Sequence, residues 1–172
     1  VASSGIIGRP TGLQLGTSGS PTSEQNVSWG YDTYGRFNSL GAASRTLSYG
    51  YDSNASLIAN IEDTTSGTGT GWKQLRTYVS NRDLLKTIET KYTSSTTNAK
   101  FDYDPANNGS GHDALGRRTA VKKTGVMFDG YDSFSTHGTQ TTWGYNDRSE
   151  LTSETTTDLN TTPVVLNGRQ DS

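Results

Sequence analysis

The sequence predicts an all-β protein made of consecutive antiparallel hairpins, and three observations carry that expectation. Large apolar residues alternate with small polar ones in short runs such as Val27-Ser28-Trp29-Gly30-Tyr31, the period of a strand whose side chains point to opposite faces. Such runs end in an acidic or amide residue followed by small residues, the composition of a tight reversal. The combination then recurs along the chain, which a chance match does not do.

Glu24 to Leu40 forms the first complete unit. Val27, Trp29 and Tyr31 share one face, while Ser28 and Gly30 keep the other small. Asp32 offers a carboxylate to backbone N–H groups one or two residues on, and Gly35 tolerates the positive φ of a return turn. Arg36 stands at the turn exit, within reach of Asp32 or solvent, and Phe37 restarts the apolar positions. The second copy places Tyr49 and Tyr51 before Asp52, with Asn54 as a left-handed residue and Leu57, Ala59 and Ile61 as the return face. Phe101, Tyr103 and Asp104 form the third, whose turn has grown. Asp113, Gly116 and Arg117 repeat the turn chemistry further on, so 105–112 reads as an insertion in one hairpin loop. Trp143, Tyr145 and Asn146 make the fourth copy, and a worn one lies between Tyr78 and Leu84.

This Tyr-Asp-x-x-Gly-Arg core, set after an aromatic two places earlier and recurring at Tyr31, Tyr51, Tyr78 and Tyr103, resembles the YD repeat of bacterial Rhs proteins over roughly residues 27–154. Gly-Arg itself is kept at Gly35-Arg36 and Gly116-Arg117 and is replaced by Ala55-Ser56 and Ser149-Glu150. The resemblance implies a strip of antiparallel sheet that curves and spirals into a hollow shell around a toxin or other cargo. This chain would then be a structural, non-catalytic wall segment, bacterial in origin and secreted or displayed at the cell surface. Its implied partners are the remainder of a parent polypeptide or further copies, joined through edge strands, and an enclosed toxin polypeptide. The family's aspartate-dependent self-cleavage segment has no counterpart here, since Asp104-Pro105 lacks the surrounding pattern.

Composition agrees with a thin sheet. Only 29% of the 172 residues are hydrophobic, which is lean for a self-contained core, yet the formal net charge is only −2 and the aromatics alternate, so disorder does not follow. A sheet with a wet face needs less apolar mass than a globule. The expectation is one segment over 1–172, with Gly/Ser/Thr-rich flanks at 1–23 and 155–172, cut from a longer protein. No cysteine is present, which excludes disulfides, a thiol nucleophile and a Cys-based metal site. No run approaches the ~20 apolar residues of a membrane helix, so no membrane insertion is expected.

Between the copies, Gly12 to Gly16 and Val164 to Leu166 read as short strands, and Tyr131-Asp132 as loop decoration. Leu75 to Ile88 has some helical spacing, but its β-branched flanks and the repeat phase favour a strand pair. A small β-sandwich is the competing architecture.

Candidate chemistry is sparse. Ser110, His112 and Asp113 bring hydroxyl, imidazole and carboxylate into one loop, but triads are assembled from separate elements, so a solvated insertion loop is expected there, as around His137. Asp102, Asp104 and Asn107 superficially suggest a calcium loop; counting from Asp104, the twelfth position is Leu115 rather than Glu, and Asp104 and Asp113 are expected to bind their own turn backbones. Arg117, Arg118, Lys122 and Lys123 form one basic cluster, read as a solvated strand face or edge rather than a nucleic-acid surface. Neither cofactor nor metal is expected. An adhesive or carbohydrate-binding module, using aromatics such as Trp29 and Tyr31 if exposed, is the alternative to the shell wall.

Overall fold

A computed structural model describes residues 8–14, 26–53, 55–64, 71–92, 96–128, 138–159 and 165–166. Twelve strands follow in chain order: β1 (Gly12–Gln14), β2 (Asn26–Tyr31), β3 (Phe37–Ala42), β4 (Arg45–Tyr51), β5 (Ile58–Asp63), β6 (Trp72–Tyr78), β7 (Leu85–Tyr92), β8 (Thr96–Asp102), β9 (Ala120–Thr124), β10 (Gly138–Tyr145), β11 (Leu151–Asp158) and β12 (Val165–Leu166). In the ladders β1 to β5 and β8 to β12, strands adjacent in the chain are neighbours in the pairing, which is an all-β hairpin meander. No α-helix occurs among the described residues, and Leu75 to Ile88 forms strands, joined through a turn in which the Val79 N–H donates to the Leu84 carbonyl at 2.8 Å. A further Tyr-Asp pair, Tyr131-Asp132, and the Asn54 position lie outside the described residues, as does His137.

The chain divides into two compact units, Val1–Gln74 with Tyr92–Ser94, and Leu75–Lys91 with Ser95–Ser172. In the first, β1 to β5 pair in succession, with Leu13 opposite Val27, Trp29 opposite Leu40, Leu40 opposite Leu47 and Tyr49 opposite Ile61. Phe37 sits between two tyrosines there, its ring centre 6.1 Å from Tyr31 and 5.1 Å from Tyr49. In the second, β8 to β12 pair likewise, and Phe101 meets Phe128 edge to face at 5.4 Å.

A β-bulge sits at the same place in three hairpins. The register shifts between Gly30 and Tyr31, between Gly50 and Tyr51, and between Gly144 and Tyr145. The return strand carries one extra residue each time, which breaks strict alternation. Tyr51 therefore faces Ile58 and not Ala59, correcting the return face read from Leu57, Ala59 and Ile61. A Cβ at Gly30, Gly50 or Gly144 would press on the polar tip of the Ser39, Asn60 or Ser153 side chain across the ladder, which would have to swing aside.

Among the described residues only Ala99 and Val121 are buried hydrophobics, and no side chain is completely enclosed. Most strand residues are half-buried. Such a sheet is held by its backbone ladders and by side chains lying against one another on its faces, in keeping with its low apolar content.

Candidate functional site

The repeated turn is the best-defined arrangement of polar groups. Oδ1 of Asp32 accepts the N–H groups of Tyr34 (2.9 Å) and Arg36 (2.8 Å), while Oδ2 accepts Nε of Arg36 at 2.7 Å. The backbone closes around it, with the Asp32 N–H donating to the Arg36 carbonyl and the Gly35 N–H to the Asp32 carbonyl, both at 2.9 Å. Gly35 adopts φ +77°, where a Cβ is strained. Asp113 repeats every contact: Leu115 N–H at 3.0 Å, Arg117 N–H at 2.9 Å, Arg117 Nε at 2.5 Å, and Gly116 at φ +82°. Partial removal from water pushes both carboxyls up, yet the arginine hydrogen bonds and charge, with the turn N–H groups, hold them below the ordinary 3.8.

Asn146 builds the same turn without the charge. Its Oδ1 accepts the N–H groups of Arg148 and Glu150, each at 3.0 Å, and Ser149 takes the glycine's place at φ +66°. The replacement of Gly-Arg by Ser149-Glu150 thus leaves the turn type unchanged. The Asp52 turn is one residue wider, the Asp52 N–H donating to the Leu57 carbonyl at 2.8 Å, and the Val79 turn shares that width.

Each turn arginine also reaches the next aromatic hairpin. The Arg36 guanidinium lies 4.2 Å from the Tyr51 ring centre and donates to the Ala55 carbonyl, while the Tyr51 hydroxyl donates back to the Phe37 carbonyl at 2.5 Å. Arg117 lies 4.7 Å over Tyr145 and donates to the Asn146 carbonyl (3.2 Å) and Ser149 Oγ (3.1 Å); the Tyr145 hydroxyl donates to the Arg118 carbonyl at 2.9 Å. Arg9 lies 5.3 Å over Tyr31, whose hydroxyl donates to the Pro10 carbonyl at 3.1 Å. In all three rungs the tyrosine bonds the carbonyl of the residue after the arginine. Stacking of this kind contributes about 0.5–2 kcal/mol, more as water is excluded. Among the described residues the last turn passes nothing on: Glu150 occupies the arginine position and pairs with Arg148 at 3.1 Å inside its own turn.

The remaining repeat residues serve the ladder or the sheet faces. Trp29 donates its backbone N–H to the Thr11 carbonyl at 2.8 Å, and Trp143 donates Nε1 to Glu154 at 3.1 Å. Tyr103 is stacked from its own loop, by Arg118 at 4.1 Å. Sequence reasoning missed the partners in these rungs. Gly8-Arg9-Pro10-Thr11 does read in the sequence as the exit of an earlier repeat turn, and φ +87° at Gly8 fits it, but the reach of Arg9 to Tyr31 carried no signal. Arg82, which donates to the Asp113 carbonyl at 3.1 Å, and Arg118 carried none.

Two expectations are corrected in the second unit. The 105–112 insertion is not simply solvated: Asp104 is 3% and His112 6% exposed. Asp104 does not close the hairpin, which Asp113 does; it braces the insertion, accepting the Gly109 N–H at 3.0 Å and the Gly111 N–H at 3.3 Å. The basic cluster is no edge either, because β9 is paired on one side with β8 and on the other with β10. Arg117 is bound to Asp113 and Arg118 covers Tyr103.

Chemically, these groups are committed to one another. Among the described residues no three His, Asp or Glu side chains gather as a metal site would need. The clefts are open; one of about 440 Å³ lies beside Tyr34, Arg36, Ala55 and Ser56. No helix is long and apolar enough to cross a membrane among the described residues. No protein-family model and no curated protein matches the chain.

Proposed function

We propose that this chain is a structural wall segment of a bacterial Rhs-type, YD-repeat shell that encloses a toxin or other polypeptide cargo, secreted or at the cell surface, and is not itself catalytic. The supporting observation is the ladder in which Arg9, Arg36 and Arg117 each engage the tyrosine of the next aromatic hairpin. Polar groups spent on joining repeat to repeat suit an extended wall, where each unit is stabilised by its neighbours. The paucity of buried apolar side chains points the same way, since a wall segment gains its second layer or its flanking strands from more polypeptide. Sedimentation and light scattering on the 172-residue chain test this reading. Self-association, or stabilisation on adding flanking sequence, is expected; a monodisperse and fully stable monomer overturns it.

The carbohydrate-binding reading keeps one observation in its favour, the ring of Tyr34, 81% exposed at a turn tip. Trp29 and Tyr31, by contrast, are half-buried. A glycan array with binding that disappears in Tyr34→Ala would favour it over the wall.

A further inference from the structure

His112 joins the 105–112 insertion to the Asp113 turn. It forms an isolated bridge with Arg118, and its Nδ1 is buried without a hydrogen-bond partner among the described residues. Four charged groups act on the imidazole through space: Arg118 from the bridge before β9, Arg82 from the β6–β7 turn, Asp104 from the start of the insertion and Asp113 from the turn that follows. Lys86 of β7 stands 3.8 Å from the Asp104 carboxylate. The insertion itself is held down by a small set of bonds. Its Gly109 and Gly111 N–H groups sit on Asp104, and its Ser110 and Gly111 carbonyls accept Oγ1 and N–H of Thr119 at 2.5 and 3.0 Å. Gly111 packs so closely on the Tyr103 carbonyl that no Cβ would fit.

We propose that His112 is an acid-sensitive latch: the neutral imidazole keeps the insertion packed on Tyr103 and Thr119, and protonation releases it. An imidazolium has two N–H donors to satisfy, and Nδ1 points where no acceptor stands. The new charge would also lie beside two guanidiniums, only partly offset by two carboxylates. Burial first, then Arg118 and Arg82, hold the folded histidine below its ordinary 6.5, against the pull of Asp104 and Asp113. The packed loop is therefore favoured at neutral pH, and that preference is lost as pH falls from 6.5 through the folded value. Loop opening grows by roughly tenfold for each pH unit across that window. Strands β9, β10 and β11 carry no histidine of their own and stay paired. This inference does not depend on what the sheet encloses.

Amide hydrogen exchange by NMR on the full chain, corrected for intrinsic rates, tests it at about pH 7.5 and about pH 5. Protection of Gly109, Gly111 and Thr119 should fall at the lower pH, with β10 and β11 unchanged, and His112→Gln should abolish the difference. Equal protection of the loop at both pH values in the unsubstituted chain, or the same fall in His112→Gln, overturns the proposal. If His112→Gln fails to fold, the imidazole titration followed in the unsubstituted chain decides: a midpoint below 6.5 upholds the latch, and one at or above 6.5 overturns it.

Discussion

The turns at Asp113–Arg117 and Asn146–Glu150 have the same backbone and opposite chemistry. Both lead residues accept the N–H groups two and four places on at 2.9–3.0 Å, and both turns place a positive φ at the fourth residue. In the first a carboxylate holds an arginine, which reaches forward to the next aromatic hairpin; in the second an amide meets a glutamate, which folds back on Arg148. The acceptor oxygen therefore makes the turn, and the fifth side chain makes the connection. Shape and coupling are separable properties of the repeat, carried by different atoms of the same five residues.

The largest effect should come from breaking a rung. Tyr51→Ala removes a ring stacked by Arg36 and a hydroxyl bonded to Phe37, and should destabilise by about 2 kcal/mol in denaturant unfolding. Tyr34→Ala removes a ring that also lies near Arg36, at 5.2 Å, but stands at the exposed turn tip; its change should stay within about 0.5 kcal/mol. Equal losses from the two would mean that stacking on Arg36, and not the bonded rung, is what matters.

Exchanging the fourth residues of the two turns tests the backbone alone. Gly116→Ser puts a Cβ where φ is +82° and should cost about 1 kcal/mol, while Ser149→Gly relieves φ +66° and should gain up to about 1 kcal/mol, offset by loss of the Oγ bond from Arg117. Thermal unfolding of the two single variants reads both signs.

Acid separates the charged turns from the amide turn. Asp32 and Asp113 titrate below 3.8 in the folded chain, so their stabilisation is complete above that value and is lost as pH falls through the folded values. Melting curves over this range should show an acid limb that flattens in Asp32→Asn/Asp113→Asn. The variant should still form its turns, as Asn146 does, and an unchanged acid limb would place the lability elsewhere.

The smallest effect concerns the last turn. Asn146→Asp with Glu150→Arg restores the missing pair, and a double-mutant cycle should give a favourable coupling of about 0.5 kcal/mol. The value is small because Arg148 and Glu150 are both exposed and the new arginine gives up their ion pair.

What the sequence determined by itself is local. Alternation placed the strands, and the lead aspartate, the glycine three places on and the arginine after it marked the turns, because a strand's period and an Asx reversal are settled within about five residues. The bulge at each Gly-Tyr pair was not legible, since the side chain that crowds each glycine, Ser39, Asn60 or Ser153, stands across the hairpin. The rungs were not legible either. Arg36 meets Ala55 and Tyr145 meets Arg118 across separations of 19 and 27 residues, distances in sequence that only the register between hairpins converts into contact. Burial of Asp104 and His112 belongs to the same class: in the sequence they stand in a Gly- and Asn-rich loop, and only its packing against Tyr103, Arg118 and Thr119 takes them out of water.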